Sequence, residues 1–154
     1  MRSRAYLLLG VLAAALCVGG CELLGLGGDA GPPRFRYGAS FSLALGDTAI
    51  AQDGRVQVVF DEVLLDNRCP IGAVCVIAGE ARIRVLMQPV PEEIVYTTEL
   101  RVPPGPYPPE DNDVVAVGRY AIQLQAVYPE PRVEDAPLDA SRYRAQMMVR
   151  PAQP

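Results

Sequence analysis

Histidine, lysine and tryptophan are absent from the 154 residues, and all 14 basic side chains are arginine. Without imidazole there is no Ser-His-Asp triad, no HExxH metal site and no His-ligated zinc; without lysine there is no Schiff base and no phosphate-binding P-loop. Hydroxyl nucleophiles are also scarce: serine occurs only at Ser3, Ser40, Ser42 and Ser141, threonine only at Thr48, Thr97 and Thr98. These absences point to no catalytic residue, no metal and no cofactor. With 50% hydrophobic and 21% charged residues, what remains fits one globular domain with a short extra segment.

That extra segment is N-terminal. Arg2 and Arg4 precede an apolar run from Leu7 to Val18, the layout of an export signal and too short to cross about 30 Å of hydrocarbon comfortably. The run ends Val18-Gly19-Gly20-Cys21, which resembles the lipobox of bacterial lipoproteins. That resemblance implies removal of residues 1–20, a diacylglyceryl thioether on Cys21 and acylation of the new amino group. Each buried CH₂ contributes about 0.8 kcal/mol, so two or three chains make a lasting membrane attachment where one would not. By the sorting rule of enterobacterial lipoproteins, the resemblance further implies that Glu22, in place of an aspartate, favours the outer membrane, facing the periplasm. An ordinary secretory signal with an incidental cysteine, or an uncleaved anchor, are the competing readings. Residues 21–33 are glycine-rich and read as a flexible tether, leaving 34–154 for the folded domain.

Loss of residues 1–20 deletes two arginines and no acid, so 12 Arg face 18 Asp and Glu and the net charge moves from −4 to −6. Nucleic acid and anionic lipid are poor partners for that balance. The partners expected are the membrane, through the covalent lipid on Cys21, and a protein of the cell envelope. Of four cysteines, Cys17 leaves with the signal and Cys21 carries lipid. Cys69 and Cys75 then remain as one pair in an oxidising compartment, where a disulfide is expected. Its small ring is worth about 2–2.5 kcal/mol of loop entropy. A redox-active dithiol or soft-metal site competes, without the CxxC spacing or a third ligand to support it.

The body alternates with a period of two, the mark of half-buried strands. Phe35, Tyr37, Ala39, Phe41, Leu43 and Leu45 share one face. Val56, Val58 and Phe60 lead a second run that Asp61-Glu62 interrupts before Val63 and Leu65 resume it, which predicts a β-bulge. Ala81 to Met87 and Ile94 to Val102 alternate likewise, as do Tyr120, Ile122, Leu124, Ala126 and Tyr128, and Tyr143 to Val149. With short pieces at 48–51 and 114–117 this predicts seven or eight strands in an all-β, antiparallel β-sandwich of immunoglobulin-like architecture.

Several groups are candidates for chemistry. Glu110-Asp111-Asn112-Asp113 offers oxygen ligands for Ca²⁺ but lacks the spaced pattern that wraps one ion. The proline-rich 103–109 reads as a rigid connector, with a polyproline ligand as the alternative. Asp61-Glu62 and Glu92-Glu93 are adjacent on strands, so each pair is expected to point to opposite faces and not to flank one bond. Asp66 and Arg68, beside the disulfide, either form a recognition surface or pair with one another and cap loop backbone.

The stretch from Asp66 to Ala81 resembles a D-S-R-C-P-x-x-x-x-C-x-W-A-G-x-A segment found in a group of bacterial lipoproteins and secreted proteins with no assigned function. Asp66, Arg68, Cys69, Pro70, Cys75, Ala78, Gly79 and Ala81 match it, whereas Asn67 and Ile77 stand where Ser and Trp belong. The resemblance implies a fold for residues 39–150 and no activity. The function expected is that of a non-enzymatic, membrane-anchored envelope lipoprotein with a binding or structural role. A His-independent carboxylate hydrolase of glycosidase type needs two carboxyl groups about 5–10 Å apart in a pocket, and a ligand carrier needs an apolar cavity.

Overall fold

The computed structural model describes residues 31–77, 79–102, 114–135 and 138–152. Cys21, the signal, most of the tether, the proline-rich 103–109 and the acidic 110–113 lie outside them. The described residues form nine strands, β1 (Arg34–Phe35), β2 (Ser40–Ala44), β3 (Thr48–Ala51), β4 (Val56–Asp66), β5 (Ala81–Pro89), β6 (Tyr96–Val102), β7 (Val114–Val117), β8 (Tyr120–Tyr128) and β9 (Arg144–Pro151). They make an all-β sandwich. One sheet has the order β1-β3-β4-β5-β6 and the other β2-β9-β8-β7; every pairing is antiparallel except that of β1 with β3.

The core lies between the sheets and is supplied by alternate residues. Val56, Val58 and Phe60 on β4 and Ala81, Ile83, Val85 and Met87 on β5 have no exposed surface, nor do Ala145, Met147 and Val149 on β9. Each medium or large apolar side chain buried this way contributes about 1.5–3 kcal/mol, so the alternation itself fixes which face of each strand turns inward.

Two departures from strict alternation matter. The expected bulge in β4 is present, with register shifts between Phe60 and Glu62 and again between Val63 and Leu65. It brings Asp61 Oδ2 (3.8 Å) and Glu62 Oε2 (2.5 Å) to the same Arg84 guanidinium. The expectation that these two acids point to opposite faces is therefore corrected, because a bulge cancels the half-turn per residue on which it rested. In β8 a register shift between Leu124 and Ala126 moves the inward position to Val127 (2% exposed) and turns Tyr128 outward (46%). The inward face assigned to Ala126 and Tyr128 by parity is corrected accordingly.

The run from Phe35 to Leu45 is not one strand. Gly38, at φ +76°, turns the chain so that β1 joins β3 while β2 joins β9 in the opposite sheet. Phe35 and Phe41 stack across the switch with ring centroids 4.4 Å apart. This division accounts for nine strands where the pattern predicts seven or eight. At β6 the strand starts at Tyr96, and Ile94 is exposed in the preceding loop instead of sharing the inward face.

Candidate functional site: the disulfide loop and the cleft beneath it

β4 and β5 are joined by residues 67–80, and the base of this loop is closed by polar backbone contacts. Asp66 pairs with Ala81 in register, the Asn67 amide donates to the Glu80 carbonyl (3.1 Å) and the Glu80 amide donates to Asn67 Oδ1 (2.7 Å). Gly79 faces Asn67 so closely that an added Cβ would overlap the Asn67 carbonyl oxygen. The asparagine that departs from the resembled motif therefore has a definite job: its side chain closes the loop base.

Asp66 and Arg68 are the hub of the site. The guanidinium donates Nε to Oδ1 and Nη2 to Oδ2, both at 2.7 Å, a two-point pairing that fixes both planes. The side chains are only 7% and 14% exposed, for Asp66 and Arg68 respectively. Arg68 Nη1 donates to the Val127 carbonyl (2.6 Å) and Nη2 to the Pro129 carbonyl (3.0 Å), so one arginine caps the end of β8. Tyr143, just before β9, donates its hydroxyl to Asp66 Oδ2 at 3.0 Å. Burial pushes the Asp66 carboxyl up, yet the hydrogen bonds and charge of Arg68, with Tyr143 and the Arg68 amide, outweigh it and hold the group below its ordinary range. Burial, reinforced by the bond to Asp66, pushes the Tyr143 phenol up to about 12. Pairing and backbone capping, one of the two expectations for Asp66 and Arg68, is thus what their side chains do; the role of Tyr143 is one that a reading of the strand pattern misses.

Cys69 and Cys75 are joined by a disulfide with Cα atoms 6.0 Å apart. Within the ring the Ala73 amide donates to the Pro70 carbonyl. Ile71 docks on the 131–133 segment, its amide donating to Pro131 O (2.8 Å) and its carbonyl accepting from Val133 N (3.4 Å). The ring is thus held at three places: its own sulfurs, the base at Asn67 and Glu80, and this short parallel bridge. The outer surface at the ring and just beyond Cys75 is apolar. Val74 and Val76 are exposed in full (102% and 101%) and Ile77 nearly so (83%).

Beneath the loop lies a cleft of about 390 Å³ lined by Asp66, Arg68, Arg132, Asp135, Leu138 and Tyr143 among others. A more open groove of about 820 Å³ runs beside it past Ile71, Tyr128, Ser141, Arg142 and Arg144. The cleft does contain two carboxylates, but Asp66 is committed to Arg68 and Asp135 to Arg142 at 3.2 Å. A general acid needs its pKa raised towards neutrality, the opposite of what Arg68 does to Asp66. Among the described residues there is no group of three metal-ligating acids or thiols. The Asp66, Arg68 and Tyr143 arrangement orders the loop. Compared with known proteins, the chain matches no family model, no curated protein and no solved structure.

Proposed function

We propose that this chain is a lipoprotein of the bacterial envelope, anchored through Cys21 and facing the periplasm from the outer membrane, that works by contact and not by catalysis. The observation that carries the reading is the order of Arg2 and Arg4, the apolar run to Val18 and Gly19-Gly20-Cys21, a nucleophilic thiol set immediately after small residues that let a processing enzyme take the chain extended. The sandwich supports it: Asp66, Arg68 and Tyr143 are spent on holding the loop, and the loop's most exposed large residues, Val74, Val76 and Ile77, carry aliphatic surface suited to contact. Metabolic palmitate labelling with and without globomycin, on the native chain and on Cys21→Ala, is the test. Label that depends on Cys21, with an unprocessed precursor accumulating under globomycin, is expected; unchanged processing with no label would overturn the proposal.

A further inference from the structure

The apolar surface of the loop sits at a definite place. Arg34, where the chain enters the sandwich, is level with Ile50 and through it with Gln57, at the start of β4, while the loop follows Asp66 at its other end. Nine residue steps separate Gln57 from Asp66, about 30 Å of strand. The chain from Cys21 to Arg34 is 13 steps long, which reaches at most about 43–47 Å when extended. A lipid on Cys21 therefore leaves enough chain for the far end of the sandwich to return to the same bilayer.

What the loop offers there is chemistry that fits lipid. From Cys69 to Gly79 there is no charged residue. Its most exposed side chains, Val74 inside the disulfide ring and Val76 and Ile77 just beyond Cys75, are purely aliphatic, bear no hydrogen-bonding group and adjoin a ring already stapled and docked. Insertion thus carries little ordering cost in the loop itself. Three such side chains form a patch smaller than the roughly 800 Å² per partner of a standard protein interface, too little for a second copy of the chain to bind alone. For a group already tethered within reach of a surface, the effective concentration is millimolar in order, and a small apolar tip is then enough.

We propose that the Val74, Val76 and Ile77 tip is a second membrane contact, inserting to the boundary of headgroups and acyl chains of the bilayer that holds the Cys21 lipid. The proposal rests on the anchor reading above. Because the tip is uncharged, its insertion needs no anionic lipid and is not weakened by salt.

The chain has no tryptophan, so Ile77→Trp introduces a single indole at an exposed position. The lipidated, full-length variant is incorporated in phosphatidylethanolamine and phosphatidylcholine vesicles, with or without bromine on the acyl chains, and floated on a gradient. The expected result is flotation, emission shifted to shorter wavelength, and loss of most of that emission on brominated lipid, unchanged in high salt. Adding Val74→Asp and Val76→Asp is expected to return the indole to its aqueous emission while flotation persists; intact mass checks that the disulfide is retained. A chain that floats with an unquenched, aqueous indole overturns the loop contact and leaves the anchor standing, with an envelope protein as the occupant to seek. A chain that does not float overturns the anchor reading and this proposal with it.

Discussion

The Tyr143 hydroxyl donates to Asp66 Oδ2 at 3.0 Å across 77 residues of sequence, joining the end of β4 in one sheet to the start of β9 in the other. It is a hydrogen bond to an ionised, buried acceptor, a class worth about 1.5–3 kcal/mol. Tyr143→Phe keeps the ring and removes the donor, and is expected to cost about 2 kcal/mol in urea unfolding at neutral pH. The same variant changes the alkaline limb. The folded phenol titrates at about 12 against an ordinary value of 10.0, so the stability it supplies is complete below about pH 10 and is lost as pH rises through about 12. Native protein should lose stability over that window by more than Tyr143→Phe does; parallel losses would remove this bond from the account.

Arg68→Met is expected to be the more damaging change. It leaves the Asp66 carboxylate buried without its partner and uncaps the Val127 and Pro129 carbonyls, the situation in which breaking a buried pair costs about 3–5 kcal/mol. Adding Asp66→Asn should recover part of that loss, because the unpaired charge is then gone. A double-mutant cycle by thermal or urea unfolding measures the recovery. Losses of Arg68→Met and Asp66→Asn that simply add in the double variant would show that Arg68 acts through the β8 carbonyls alone.

The acid side has the opposite sign. Asp66 titrates below its ordinary 3.8 in the folded state, so the unfolded chain binds the proton more tightly and stability falls as pH falls. The contribution is whole above about pH 4 and is lost as pH drops through the folded value. The stability gap between native protein and Asp66→Asn should therefore narrow from pH 6 towards pH 2. A gap that stays constant would mean that the carboxylate charge contributes nothing.

How far these features could be read beforehand depended on whether a departure left a mark in the pattern. The β4 bulge is legible because Asp61 and Glu62 interrupt an apolar series. The β8 bulge is not, since Gln125 is followed by both Ala126 and Val127, and either parity supplies an inward apolar residue. The change of sheet at Gly38 is hidden for a related reason: Phe35 and Phe41 stay in phase across it, although one serves β1 and the other β2. The disulfide follows from elimination among four cysteines. Tyr143 reads simply as a core residue, and its bond to Asp66 depends on a tertiary approach that no local spacing encodes.

Gly79 makes a sharp test of the loop base. Its backbone passes against the Asn67 carbonyl, where a Cβ has no room, and the neighbouring Glu80 amide is bonded to the Asn67 side chain. Gly79→Ala must separate the two chains and break that pairing, at a cost of about 1–3 kcal/mol for the lost and unsatisfied groups. Faster amide exchange at Asn67 and Glu80, with β8 and β9 amides unchanged, is the expected signature. Native-like protection at both residues would show that the base can yield without loss.

The disulfide should matter less to the sandwich than to the loop it closes. Constraining so short a ring is worth about 2–2.5 kcal/mol, and the core residues of both sheets lie elsewhere. Cys69→Ser with Cys75→Ser is accordingly expected to lose no more than about 2–3 kcal/mol and to keep its strand content by circular dichroism. The Asp66, Arg68 and Tyr143 bonds use no cysteine and should survive, so the alkaline limb between pH 10 and 12 should be retained in the double serine variant. The Ile71 bridge to the 131–133 segment has no such independent support. Its amides should exchange faster once the sulfurs are gone, because an open ring must be ordered afresh each time Ile71 docks. Global unfolding of the double variant at room temperature would show instead that the staple holds the two sheets together.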